Sequence, residues 1–181
     1  SFPSLLSRWM GTKALPEQPL RARIEGMSRK LGLQDVDIQI VPSHGRWVGA
    51  AIVGWIPGFR KLWLGDALIE RLTEHQLDMV VMHELAHVDR KHCWWRALPL
   101  LWASASVGLL WLLWPMVAES EPVRNLVAAV VASVVLLMGM GRTARACELD
   151  ADRHACTMAE RVCGWANGQP SVAAAQLGSA L

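Results

Sequence analysis

The sequence predicts an α+β protein that is mainly helical, with a small antiparallel β-sheet of about three strands and an inserted hydrophobic helical hairpin. Three observations support this fold class: apolar residues at helical spacing, short alternating apolar segments, and two long uncharged runs. We expect the 181 residues to form a single domain, 1–181, with the hairpin at 97–141 as its insertion.

The first helix is expected over residues 17–32. Apolar side chains recur there at three-to-four spacing with basic residues between them, and Gly32 is placed to end the helix. A short helix should begin at Asp66. The next begins at Thr73, because Gln76 three residues later completes a capping box. Its inward-facing residues are expected to be Leu77, Val80, Val81 and Leu85.

The strands are expected between these helices. The segment VDIQIVP, residues 36–42, alternates apolar and polar side chains and ends at a proline. The segment at 46–55 is apolar with glycines, and the segment at 58–65 follows it closely, which predicts a hairpin of two further strands.

Two apolar runs form the predicted hairpin. The run at 97–118 has 22 residues without a charge, which suffices to cross a bilayer, and the run at 126–141 has 16. Tryptophans stand near both ends of the first run, as interfacial aromatic residues do. The alternative is a buried hairpin of a soluble protein. We favour the membrane, because the first run has no polar face to present to water.

Basic residues flank the hairpin outside both runs, whereas the loop between the runs carries two glutamates and one arginine. The positive-inside tendency then places both ends of the hairpin, and any site beside them, at the cytoplasm. We therefore expect an integral membrane protein, located in the inner membrane if the source is bacterial.

Charge and cysteine usage exclude other classes. A net charge of +2 without a basic stripe argues against nucleic acid as a partner. The four cysteines lie on expected helices without C-x-x-C spacing, which is typical of reduced thiols rather than of a zinc ribbon or a disulfide framework. The chain starts at Ser1 and stops within an apparent helix, so we expect it to be a fragment of a longer protein.

The most specific motif is His83-Glu84-Leu85-Ala86-His87, an H-E-x-x-H match. Histidines four residues apart project from one helix face, so both imidazoles can bind one zinc ion per chain. Glu84 flanks such an ion and is positioned to act as general base toward a water molecule. The simpler interpretation, two surface histidines on an ordinary helix, does not explain why they occur in an apolar segment.

A catalytic zinc site needs a third protein ligand. His92 falls off the ligand face, but the segment RACELDADRHAC returns from the hairpin with several candidates. Glu148 and Asp152 share one helical face, so that one could bind the metal while the other orients a histidine. Asp150 and His154 share a different face. Helical geometry favours Glu148 over His154 only modestly.

Residues 20–165 resemble the membrane metalloendopeptidases of the HtpX and CAAX prenyl protease type. The resemblance rests on an R-x-x-x-L-x-D-x-L segment from Arg60, the H-E-x-x-H helix, a hydrophobic hairpin and an E-x-x-A-D pattern from Glu148. It implies a gluzincin-type zinc peptidase domain, with His83, His87 and Glu148 on zinc, Glu84 as general base and Asp152 behind the site.

The resemblance also implies a substrate peptide added beside a glycine-containing edge strand, here Gly49, Ala50 and Ala51. The family often has Asn-Ala on this strand, where the chain has Gly49, Ala50 and Ala51, and the family's later His-Pro and Arg region is missing. Membrane lipid and a peptide or membrane-protein substrate are the expected partners. A β-lactam sensor-transducer peptidase and a non-catalytic membrane scaffold are the alternatives.

Overall fold

The computed structural model describes residues 2–16, 19–33, 36–54, 56–114 and 120–163. The predicted helix residues 17 and 18, Trp55 of the second predicted strand and residues 115–118 of the first apolar run lie outside this part of the chain. The helices within it are α1 Phe2–Trp9, α2 Pro19–Lys30, α3 Asp66–Arg71, α4 Glu74–Asp89, α5 His92–Leu113 and α6 Glu121–Cys163. The strands are β1 Lys13–Ala14, β2 Val36–Val41, β3 Ala50–Val53 and β4 Arg60–Gly65.

The fold class is confirmed: the protein is α+β and mainly helical, with a small sheet. The three expected strands form, and β3 and β4 make the expected antiparallel hairpin. The sheet differs in two respects. The short β1 adds a fourth strand, and β2 lies parallel to β4, which gives the order β1-β2-β4-β3. Because β4 takes the place beside β2, the hairpin partner β3 becomes the terminal strand.

Helix α4 is the central element of the core. The four side chains that the sequence predicts to face inward are all buried. Met79, Met82 and Ala86, on other faces of the helix, are buried as well. A helix that is apolar all round is stable only when other elements surround it. Its first turn has the predicted capping box, in which the Thr73 side chain accepts from the Gln76 backbone N–H.

An ion pair ties α2 to the first two turns of α4. The Arg23 guanidinium lies 2.8 Å from a carboxylate oxygen of the buried Asp78 and donates to Glu74 at 2.6 Å. Burial raises the pKa of Asp78, and the charge of Arg23 opposes that rise. The positive charge of Arg23 thus stabilises the ionised form of Asp78, which burial among apolar side chains destabilises.

Asp66 organises the chain between β2 and β3. Its carboxylate accepts hydrogen bonds from the Ser43 hydroxyl and from the backbone N–H groups of Ser43, His44 and Ala67. These bonds, the Ser43 hydroxyl foremost, lower the pKa of Asp66 to about 2. The resulting stabilisation is present above the ordinary aspartate pKa and is lost as the pH falls through about 2.

The described residues divide into two compact units, one formed by those within 1–91 and 150–163 and the other by those within 92–149. The second contains α5 and the first part of α6, and the predicted insertion 97–141 lies within it. Both helices are long and apolar enough, by length and composition, to cross a membrane. Only 11% and 6% of their most apolar stretches are buried, whereas the core helix of a soluble protein is mostly buried.

Within the second unit, a glycine lets α5 and α6 approach closely. A Cβ atom placed on Gly139 would lie 2.9 Å from the Cβ atom of Pro99, while one placed on Gly141 would meet nothing within 4 Å. Small residues at such contacts let helix backbones approach closely, which increases the van der Waals contact between them.

We predict that Gly139→Ala loosens this helix pair, because the new methyl group forces the backbones apart. The expected loss is about 1–3 kcal/mol of stability. Gly141→Ala is the matched control and should be neutral or slightly stabilising, because alanine favours a helix over glycine. Thermal unfolding of both variants in one detergent measures the difference; equal melting temperatures would contradict the packing described here.

Candidate metal centre

The two histidines of the motif face each other one turn apart on α4. The Nε2 atoms of His83 and His87 are 3.1 Å apart, and the rings meet edge to face at an interplanar angle of 76°. Two nitrogen ligands at 2.0–2.1 Å from one tetrahedral metal ion are separated by about 3.3 Å. The imidazole pair is therefore spaced as two ligands of a single ion would be.

A carboxylate lies behind the first histidine. The Nδ1 atom of His83 is 2.8 Å from the Asp152 carboxylate, and both atoms are shielded from solvent. A carboxylate this close to Nδ1 favours the tautomer that is protonated at Nδ1, which leaves the Nε2 lone pair for a metal. Asp152 thus lies where the sequence predicts a residue that orients a ligating histidine.

Helix α6 supplies the third candidate ligand. It runs without interruption from the apolar segment into the segment of Asp152, and Glu148 lies one turn before Asp152 on the same face. Ligand atoms of His83, His87 and Glu148 all lie within 4.8 Å of one another, so this group could hold a metal ion.

The competing candidates on the other face of α6 have different partners. His154 places Nε2 2.7 Å from the carboxylate of Asp89, and Asp150 accepts from the Arg90 guanidinium at 2.8 Å. Both contacts hold α6 against the C-terminal turn of α4. His92, whose spacing from His87 argued against it as a metal ligand, begins α5 and is not part of α4.

Glu84 is held by the sheet. One of its carboxylate oxygens accepts a hydrogen bond of 3.2 Å from the backbone N–H of Ile52 in β3. The carboxylate therefore lies against the terminal strand, and Glu84 directly follows His83 in sequence. A carboxylate in this position can exchange a proton with a small molecule bound beside it.

The register of β3 determines which backbone groups line its open side. The Gly49 carbonyl accepts from the Gly65 N–H at 2.9 Å, so Gly49 faces the neighbouring strand. Inward and outward residues alternate along an antiparallel pair. Ala51 therefore also faces β4, whereas Ala50 and Ile52 direct their backbone groups outward. Of the three residues predicted to hold substrate, Ala50 presents its backbone to the open edge, and the sequence did not reveal Ile52.

Sequence reasoning also missed the partner of Glu148. Arg96, in the second turn of α5, donates from its guanidinium to a carboxylate oxygen of Glu148. The sequence suggested Arg96 only as a positive charge beside the hairpin. A separation of 52 residues along the chain leaves no local pattern from which this pairing could have been read.

Comparison with known proteins agrees with this geometry. The family model "Peptidase family M48" matches residues 14–172. This range contains the whole sheet apart from one residue of β1, the H-E-x-x-H helix and the Glu148–Asp152 segment. A search of curated proteins found no match. Since the family model covers most of the 181 residues, the chain belongs to peptidase family M48.

Proposed function

We propose that this peptidase is a zinc-dependent endopeptidase embedded in a membrane, with His83, His87 and Glu148 as zinc ligands and Glu84 as general base. The observation that carries the proposal is the convergence of the two Nε2 atoms, 3.1 Å apart, with the Asp152 carboxylate behind one of them. Membership of a metallopeptidase family supports the same assignment.

The donor set fits zinc. Two imidazoles and one carboxylate are the protein ligands of one common kind of catalytic zinc site, which keeps a fourth position open for water or substrate. When bound, zinc supplies a Lewis acid that polarises the scissile carbonyl and makes a water molecule easier to deprotonate. Calcium and magnesium prefer oxygen ligands, so an imidazole pair argues against them.

Glu84 transfers the proton in this mechanism. Its carboxylate takes a proton from the attacking water and then delivers it to the nitrogen of the leaving amine. The hydrogen bond from the Ile52 N–H restrains the carboxylate on the side of the site that faces the strand. This restraint reduces the motion that would separate the base from the water.

The open edge of β3 is the proposed substrate-binding surface. An extended peptide can add to the sheet by hydrogen bonding to the outward backbone groups of Ala50 and to the carbonyl of Ile52, whose N–H donates to Glu84. Because Ile52 also contacts Glu84, a peptide bound in this way passes the proposed base. Residues 46–55 contain no asparagine, so the polar contacts that we propose between this strand and a substrate come from its backbone.

The second unit is the proposed membrane anchor. Its two apolar helices expose most of their apolar side chains. The hydroxyls of Ser104, Ser106 and Ser133 each donate to the carbonyl four residues earlier, which satisfies them without water. Basic residues flanking the helices favour a cytoplasmic site, located at the inner membrane if the source is bacterial. The substrates we propose are membrane proteins or membrane-tethered peptides.

Family membership favours this proposal over the two alternatives. The match is to peptidase family M48, which supports a peptidase rather than a non-catalytic scaffold. The long interval between His87 and Glu148, which contains the hairpin, argues against a sensor-transducer, and the match covers both sides of this hairpin.

We predict that Glu84→Gln retains one zinc per chain but lowers peptidase activity about 10²–10⁴-fold, because the amide cannot take up the proton. The amide oxygen still accepts from the Ile52 N–H, so the fold is preserved. Peptide cleavage and zinc content are measured on the same preparation. Glu70→Gln, an exposed residue of α3, is the control and keeps parental activity. Full activity of Glu84→Gln refutes the mechanism.

We also predict that Asp152→Ala weakens zinc binding about 10–100-fold, because His83 loses the carboxylate that sets its tautomer and orientation. Competition with a chelator of known affinity gives the dissociation constant. Asp150→Ala is the matched control, since this carboxylate pairs with Arg90 instead. If both variants lose the same affinity, the effect reflects general damage to α6 and the role of Asp152 is wrong.

A further inference from the structure

We propose that Arg96 is a positioning residue for Glu148, and that it strengthens zinc binding by holding this carboxylate ready for the metal. The inference rests on the proposed function, because it concerns the third zinc ligand. It assigns a role to a residue of α5, an apolar helix whose only other proposed role is to anchor the protein.

The contact that carries the inference lies between α5 and α6. The Nη2 group of Arg96 donates to Oε1 of Glu148. A carboxylate has two oxygens and several acceptor positions, so it can accept from Arg96 and bind a metal ion at the same time. Arginine is charged at every accessible pH and only donates hydrogen bonds, which makes it a permanent partner for an ionised ligand.

Glu148 needs such a partner more than the two histidines do. His83 is buried on the central helix and has Asp152 behind it, whereas the side chain of Glu148 is 48% exposed. A glutamate side chain loses rotamer freedom when it is fixed in one conformation. If Arg96 already restrains the Glu148 side chain, Glu148 loses less conformational entropy when the metal binds.

The positive charge of Arg96 acts in the opposite direction, because it repels a divalent cation. Exposure decides between the two effects. Both side chains of the pair are 48% exposed, so water screens the repulsion strongly. Orientation of the carboxylate is not screened in this way. We therefore infer a net gain in zinc affinity from Arg96.

Zinc affinity of the full chain, purified metal-free in detergent and titrated against a chelator of known affinity, tests this inference. Arg96→Met keeps the length of the side chain and removes the donor, and we expect it to bind zinc about 10–100-fold more weakly than the parent. Arg96→Lys restores a charged donor without the planar group and should recover part of the loss. Arg90→Met removes the comparable pair with Asp150 and should leave the affinity unchanged.

A second background separates positioning from general support of the fold. Glu148→Gln should itself bind zinc more weakly. In that background Arg96→Met should cause no further loss of zinc affinity, because the carboxylate that Arg96 positions is already gone. An equal loss in both backgrounds, or a zinc affinity of Arg96→Met equal to or above that of the parent, overturns the inference. If Arg96→Met fails to fold, Arg96→Lys decides: parental affinity in that variant also overturns it.

The outcomes also distinguish this inference from the proposed function. A parent protein that binds no zinc contradicts both. A parent that binds one zinc, loses activity on Glu84→Gln and keeps its affinity on Arg96→Met contradicts only the role of Arg96.

Discussion

The structure depends on the placement of two imidazoles on a buried helix. His83 is 7% exposed, and its Nε2 atom lies 3.1 Å from that of His87. Polar groups in an apolar core destabilise the fold unless they find partners, and two cationic imidazoles at this distance would repel each other. The metal ion proposed for this site would remove the repulsion, because both imidazoles would bind it in their neutral form. The Asp152 carboxylate contributes by fixing the ring of His83.

The surrounding elements place this pair and bring other groups to it. The capping box and Arg23 secure the N-terminal part of α4, and β3 holds Glu84 through a backbone hydrogen bond. Helix α6 is uninterrupted, so two carboxylates one turn apart reach the site together. Within the second unit, Arg96 of α5 pairs with Glu148 of α6. Because Glu148 and Asp152 lie on one helix, its backbone fixes the distance between them more precisely than two separate loops would.

Local patterns predicted much of this arrangement. The capping box at Thr73, the buried face of α4 and the hairpin of β3 and β4 follow from residues close together in sequence. The order of the strands does not, because a parallel neighbour such as β4 beside β2 depends on packing between distant segments. The outward N–H of Ile52 depends on strand register, and four successive apolar residues at 50–53 lack the alternation that would reveal it. The short α1 was missed, since eight residues carry too little periodicity to identify.

The most direct test of the account is X-ray absorption spectroscopy at the zinc edge on the zinc-loaded full chain. The account predicts one zinc per chain with two imidazole nitrogens and only nitrogen or oxygen neighbours at about 2.0–2.2 Å. Cys147 adjoins Glu148 in sequence, so the measurement also tests the choice of ligand. A sulfur neighbour at about 2.3 Å, or the absence of imidazole scattering, would contradict the central claim.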